Sequence, residues 1–155
     1  MHDPDQTWRR GYRYALALCG VPAEAEDLLH DGWAASLRHH DVPPPPYLFR
    51  AIRSRWIDRH RRSQVVEMQP MDREPASEAR GPALQASDRE RVAWALSLLR
   101  PDEREVLFLA AVEGYTAQEI GEMTERPRGT VLSLLHRARQ RVRNTLELDA
   151  QEVVG

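Results

Sequence analysis

The chain has 155 residues, 41% of them hydrophobic and 30% charged, with a formal net charge of −2. That balance suits one compact soluble domain or two small ones. It excludes a membrane-spanning chain, because no apolar run approaches the ~18 residues a spanning helix needs. The single cysteine, Cys19, excludes an internal disulfide and argues against a cysteine-based zinc site. The opening MHDPDQTWRR has no apolar signal core, so the chain reads as cytoplasmic.

Trp8, Tyr12, Ala15, Leu16 and Cys19 fall at helical spacing and predict a first helix that Gly20 ends. Pro22 suits the first turn of a second helix, with Glu24, Glu26 and Asp27 near its positive end. Ala25, Leu29, Trp33 and Leu37 recur every four residues and predict its buried stripe. HHDVPPPP then stops that helix, since four prolines favour an extended chain. Leu48, Ile52 and Trp56 line one side of a third helix, while Arg50, Arg53, Ser54 and Arg61 crowd another. Residues 63–88 are rich in proline, serine and acids, keep no period, and read as a flexible, net-negative linker.

The second block is again helical. Val92, Leu96 and Leu99 mark one helix; Pro101, Asp102 and Glu103 open the next, whose Val106, Leu107 and Leu109 turn inward before Gly114 closes it. TAQE, at 116–119, is a capping box that starts a short helix, and RPRG then turns the chain. Gly121 is small enough to let two helices cross closely. The last helix stacks Val131, Leu135, Ala138 and Val142 on one side, with Leu134 at its edge. Ser133, His136, Arg137 and Gln140 stack on another, flanked by Arg139, Arg141 and Arg143. Short helix, turn and longer basic helix make a helix-turn-helix, and its polar cationic side suits a DNA major groove. No strand alternation occurs, so the expected fold is all-α. It comprises two small helical domains, 1–62 and 89–148, joined by the 63–88 linker.

Every one of the 22 basic residues is arginine, and they cluster: six in residues 50–62 against the single acid Asp58, and six in 126–143 with no acid. Blocks of one sign point to a polyanion, while a GC-rich genome accounts for the preference over lysine. An enzyme is not expected: the six histidines are dispersed, no glycine-rich phosphate loop occurs, and the carboxylates sit mostly on helix starts or in the linker.

YRYALALCGVPAEAEDLLHDGWAASL followed by YLFRAIRSRWIDRHRR resembles region 2 of extracytoplasmic-function sigma factors of the sigma-70 family. LSLLRPDEREVLFLAAVEGYTAQEIGEMTERPRGTVLSLLHRARQRVR resembles their region 4. The resemblance implies a promoter-directing subunit of RNA polymerase that needs no cofactor and holds no metal. Region 2 would dock on the polymerase clamp helices through Asp27, His30 and Asp31. It would open the −10 element with Arg50, Arg53, Ser54, Arg61 and Arg62. His39, His40 and Asp41 stand in the loop that captures a flipped base in the family, although the same three residues also suggest a small metal site. Trp56 is open to two readings, core packing or base stacking. Region 4 would read the −35 element with Arg128, Ser133, His136, Arg137, Arg139 and Gln140. The linker acids Glu67, Asp72, Glu74 and Glu78 would either mimic nascent RNA or merely solvate a tether. The resemblance also implies an anti-sigma factor as a further partner.

Leu132 and Leu134 stand where the family usually has lysine or arginine. Leu134 fits an enlarged core, whereas Leu132 points away from it. This departure sustains an alternative: a sigma-like decoy or adaptor that binds an anti-sigma factor or other protein without reading promoters. A stand-alone repressor would account for residues 115–143 but not for the first block.

Overall fold

The computed structural model describes the backbone of residues 2–67 and 85–154, and the side chains of 2–62 and 85–151. Most of the expected linker, including Asp72, Glu74 and Glu78, lies outside the described residues, as does the Glu67 side chain. Among the described residues the fold is all-α: seven helices and no strand.

Helix α1 (Pro4–Cys19) starts where the Asp3 carboxylate accepts the Asp5 N–H at 3.1 Å. It ends at Gly20, whose φ of 75° lets its N–H return to the Leu16 carbonyl at 2.8 Å. Helix α2 (Pro22–Ser36) has Pro22 in its first turn, as expected. Helix α3 (Pro45–Glu67) begins inside the proline run and continues past residue 62. The run thus does two jobs: Val42 to Pro44 lie outside helix, while Pro45 and Pro46 occupy the first turn, where a missing N–H costs nothing.

These helices close around Tyr14, Ala15, Leu18, Ala25, Leu28, Leu29, Leu48, Phe49 and Ile52, all buried. The stripe expected on α2 is only half right. Ala25 and Leu29 are buried, Trp33 is half-buried, and Leu37 is 50% exposed. Steps of four residues gain about 40° each on a helix of 3.6 residues per turn, so a fourth member has rotated off the core. Leu28, Gly32 and Ser36 complete the buried face instead. Gly32 matters by its size, since a Cβ there would lie 2.7 Å from the Ile52 side chain and 3.1 Å from its backbone nitrogen.

Helix α4 (Asp88–Ser97) opens on a capping box between Ser87 and Glu90. Its Val92 is exposed, and the Leu99 that sequence assigns to it lies buried just beyond its end. Helix α5 (Pro101–Ala111) follows, with Arg100 N–H donating to Glu103 at 3.4 Å. Helix α6 (Ala117–Thr124) carries the expected Thr116–Glu119 box, both hydrogen bonds formed. Helix α7 (Arg128–Val154) packs on α4, α5 and α6. The Arg91–Asp149 ion pair ties its distal half to α4.

The two helical blocks pack on each other. Helix α1 packs along α5 and α3 approaches α6, so one hydrophobic cluster runs from Tyr14 and Phe49 to Val106, Ile120 and Leu135. Sequence spacing leaves the relative placement of the blocks to partners; the folded chain fixes it through its own side chains.

Candidate nucleic-acid interface

Helix α7 divides as its sequence dictates. Val131, Leu134, Leu135 and Ala138 are buried against α5 and α6, while Val142 is only half-buried. Ser133, His136, Arg137 and Gln140 are exposed, as are Arg128, Arg139 and Arg143. Arg141 departs from the flanking set, because its Nε reaches the buried Glu103 carboxylate at 3.2 Å. Leu134 has joined the core at 4% exposure, while Leu132 stands 42% exposed beside the polar row.

The turn before α7 is set by backbone. Glu125 caps α6 in the left-handed region at φ 55°, and Arg126 N–H returns to the Gly121 carbonyl at 2.9 Å. A Cβ on Gly121 would sit 2.6 Å from the Arg126 carbonyl oxygen. The small residue therefore admits the turn itself, not a helix crossing.

On α3, Arg50, Ser54, Arg61 and Arg62 are exposed. Trp56 is half-buried and packed against the core, and one of its faces stacks on His60, with ring centroids 5.2 Å apart. Arg53 leaves the cationic row. Its Nε donates at 3.0 Å to Glu105 on α5, and its side chain is 14% exposed. Glu105 itself is fully buried. It also accepts from Arg126 at 2.7 Å and from the Tyr14 hydroxyl at 2.5 Å. Two guanidiniums and a phenol thus donate to one carboxylate that water does not reach. Burial, and next the neighbouring carboxylate, raise the Tyr14 phenol well above its ordinary value, so it remains a donor.

Ahead of α3, His39 and Asp41 are exposed, and His40 is half-buried. Both imidazoles present T-shaped to Tyr47, at centroid distances of 6.3 Å for His39 and 4.6 Å for His40. Sequence reasoning did not single out Tyr47, although an aromatic just after a proline run was a visible signal. Among the described residues no three His, Cys, Asp or Glu side chains gather as a metal set. On α2, Asp27, His30 and Asp31 are exposed. The His30 ring packs T-shaped on Trp8 at 5.0 Å, and Asp31 accepts from Arg59 at 2.7 Å in an exposed pair.

No helix among the described residues is long and apolar enough to cross a membrane. The family model for sigma-70 region 2 matches residues 7–65, and that for sigma-70 region 4 matches residues 89–142. The chain is 30% identical over 145 residues to the ECF RNA polymerase sigma factor SigL of Mycobacterium tuberculosis, covering 88% of this chain and 82% of that one. It is 30% identical over 146 residues to the RNA polymerase sigma-E factor of Streptomyces coelicolor, covering 90% and 82%. In fold it is similar to the sigma factor RpoE of Bartonella quintana, solved in complex with the anti-sigma factor NepR. The TM-score is 0.67 at 24% identity, over 93% of this chain and 94% of that one. With two region models in order on one chain, and relatives matched over most of their length, this protein belongs to the extracytoplasmic-function sigma factors of the sigma-70 family.

Proposed function

We propose that this chain directs core RNA polymerase to a defined set of promoters, with residues 1–62 opening the −10 element and residues 89–148 reading the −35 element. The observation that carries this reading is the two-sided α7, whose exposed Ser133, His136, Arg137 and Gln140 form one polar, cationic row on a helix anchored by Val131, Leu135 and Ala138. Such a row matches the donor and acceptor edges of a major groove, and Arg128, Arg139 and Arg143 stand where phosphates flank it. Arg50, Ser54, Arg61 and Arg62 supply the track for the melted −10 strand, joined by Arg53 once it is released from Glu105. The His39, His40 and Asp41 loop, with Tyr47 behind it, is the place for an unstacked base. Asp27, His30 and Asp31 form the face for the clamp helices of the polymerase. The chain supplies binding surfaces, works in the cytoplasm and makes no bonds itself. An anti-sigma factor is its expected regulator, by analogy with the RpoE–NepR complex.

The test is reconstitution with core polymerase on genomic fragments, followed by mapping of transcript 5′ ends. Defined start sites sharing two spaced elements are expected. Their absence with active core enzyme would favour the decoy reading. In the same assay Arg137→Ala should lose about 1 to 3 kcal/mol of −35 discrimination, as one base contact does, while polymerase binding stays intact. Unchanged promoter selectivity would remove Arg137 from the reading face. Leu132→Arg adds a cation beside that face. Holoenzyme–promoter affinity should then fall more steeply with salt, by about 0.9 in the log–log slope for each phosphate gained; an unchanged slope places residue 132 away from DNA.

A further inference from the structure

Helix α7 carries one side chain that its polar face does not explain. Among the described residues 128–143, Leu132 is the one exposed apolar side chain, and it is 42% exposed. A core was within reach, since Val131, Leu134 and Leu135 beside it are all buried. The helix turns this leucine to the other side. Helical spacing sets Arg128 and His136 one turn before and after it, with Ser133 adjacent and Arg139 two turns on. All four are exposed. Leu132 is the fifth residue of α7, in the N-terminal part that a helix-turn-helix presents to base edges.

We infer that Leu132 is a specificity-determining residue, which selects a thymine in the −35 element by packing on its C5-methyl group. The inference rests on the reading of α7 as the −35 helix, and deepens it by naming one base and the chemistry that chooses it. The major groove offers hydrogen-bonding groups on all four bases but an apolar group on one, the methyl of thymine. Leucine has no donor or acceptor for the former, and it gains by removing the latter from water. Phosphates attract the arginines around it and give an alkyl chain nothing. A protein partner fits less well. Docking faces gather apolar residues into a patch, and Leu132 has no exposed apolar neighbour along this part of the helix. The scaffold also fixes its depth, because Val131 and Leu135 are buried on either side of it. Ser133, next to it, can bond to more than one base, so the leucine adds discrimination that the hydroxyl lacks.

The test removes the contact from each side in turn. Core polymerase carrying the full-length chain is bound to the strongest promoter duplex found by start-site mapping. Each thymine of its −35 element is replaced singly by deoxyuridine, which pairs alike and lacks only the C5-methyl. At one position the natural chain should lose about fourfold in affinity, the worth of one buried methyl group. Leu132→Ala exchanges an exposed side chain for the best helix former, so the fold is kept. This variant should bind the thymine promoter at least that much more weakly, and should be indifferent to uracil at the same position. Its salt slope should match that of the natural chain, because no phosphate contact is lost. A −35 element without thymine refutes the inference. So does a natural chain that ignores every uracil, or a uracil penalty of equal size in both proteins. If Leu132→Ala instead weakens binding to core polymerase without DNA, residue 132 is a protein contact and the inference is refuted. In all these cases initiation that still depends on Arg137 leaves the −35 reading standing, whereas the absence of any defined start site removes both.

Discussion

Glu105→Ala is expected to destabilise the whole chain by about 3 to 5 kcal/mol, the cost of removing one member of a buried charge network. Glu105 is fully buried and takes three hydrogen bonds, from Tyr14, Arg53 and Arg126. Alanine would leave two half-buried guanidiniums facing one another and a fully buried phenol without its acceptor. Each group would have to drag water into the seam or move out of it. Small domains hold only about 5 to 15 kcal/mol in total, so the loss is a large share. Urea unfolding measures it. Glu105→Gln keeps the shape and part of the hydrogen bonding, and should lose less than alanine. Because Glu105 joins both modules, the natural chain should unfold in one transition and the alanine variant in two. A loss below about 1 kcal/mol would mean that the cluster is as weakly coupled as an exposed ion pair.

Glu105 also shows where sequence reading ends. Its neighbours Val106 and Leu109 follow the helical period and are buried as that period requires. Glu105 shares their buried face, but a carboxylate there reads as solvent-facing unless its partners are known. Those partners lie 91 residues away at Tyr14, 52 away at Arg53 and 21 away at Arg126. No local pattern reports pairings of that range. The helices, by contrast, were legible because their signals are local: Pro22 and Pro101 in first turns, Gly20 at a C-cap, and the Thr116–Glu119 box. The two-sided character of α7 was legible for the same reason. What failed was extrapolation of a four-residue repeat to Leu37, and the assumption that a proline run stays outside helix. Linker composition describes the tether and says nothing of how the two helical modules pack on each other, so that placement was not legible in the sequence.

The same distinction governs Gly121→Ala. In an exposed helix interior this change would stabilise, since alanine is the better helix former by roughly 1 kcal/mol. Here the new Cβ would stand 2.6 Å from the Arg126 carbonyl oxygen, and backbone cannot yield as a side-chain tip does. The turn must shift, and it carries two further interactions. Arg126 N–H is bonded to the Gly121 carbonyl, and the Arg126 guanidinium is bonded to Glu105. A shift of a few tenths of an ångström there strains the helix-turn-helix and loosens the buried cluster together. Overpacking of this kind costs about 1 to 3 kcal/mol, against the propensity gain. The net expectation is a lower melting temperature, with a disproportionate loss of −35-dependent initiation, because α7 begins two residues after Arg126. The conservative control is Ala117→Gly, which weakens the start of α6 by a similar amount without touching the turn. If both variants lose −35 selectivity in proportion to their lost stability, the turn has no positioning role. If Gly121→Ala alone loses selectivity beyond its stability cost, the position of α7 depends on the absence of one methyl group.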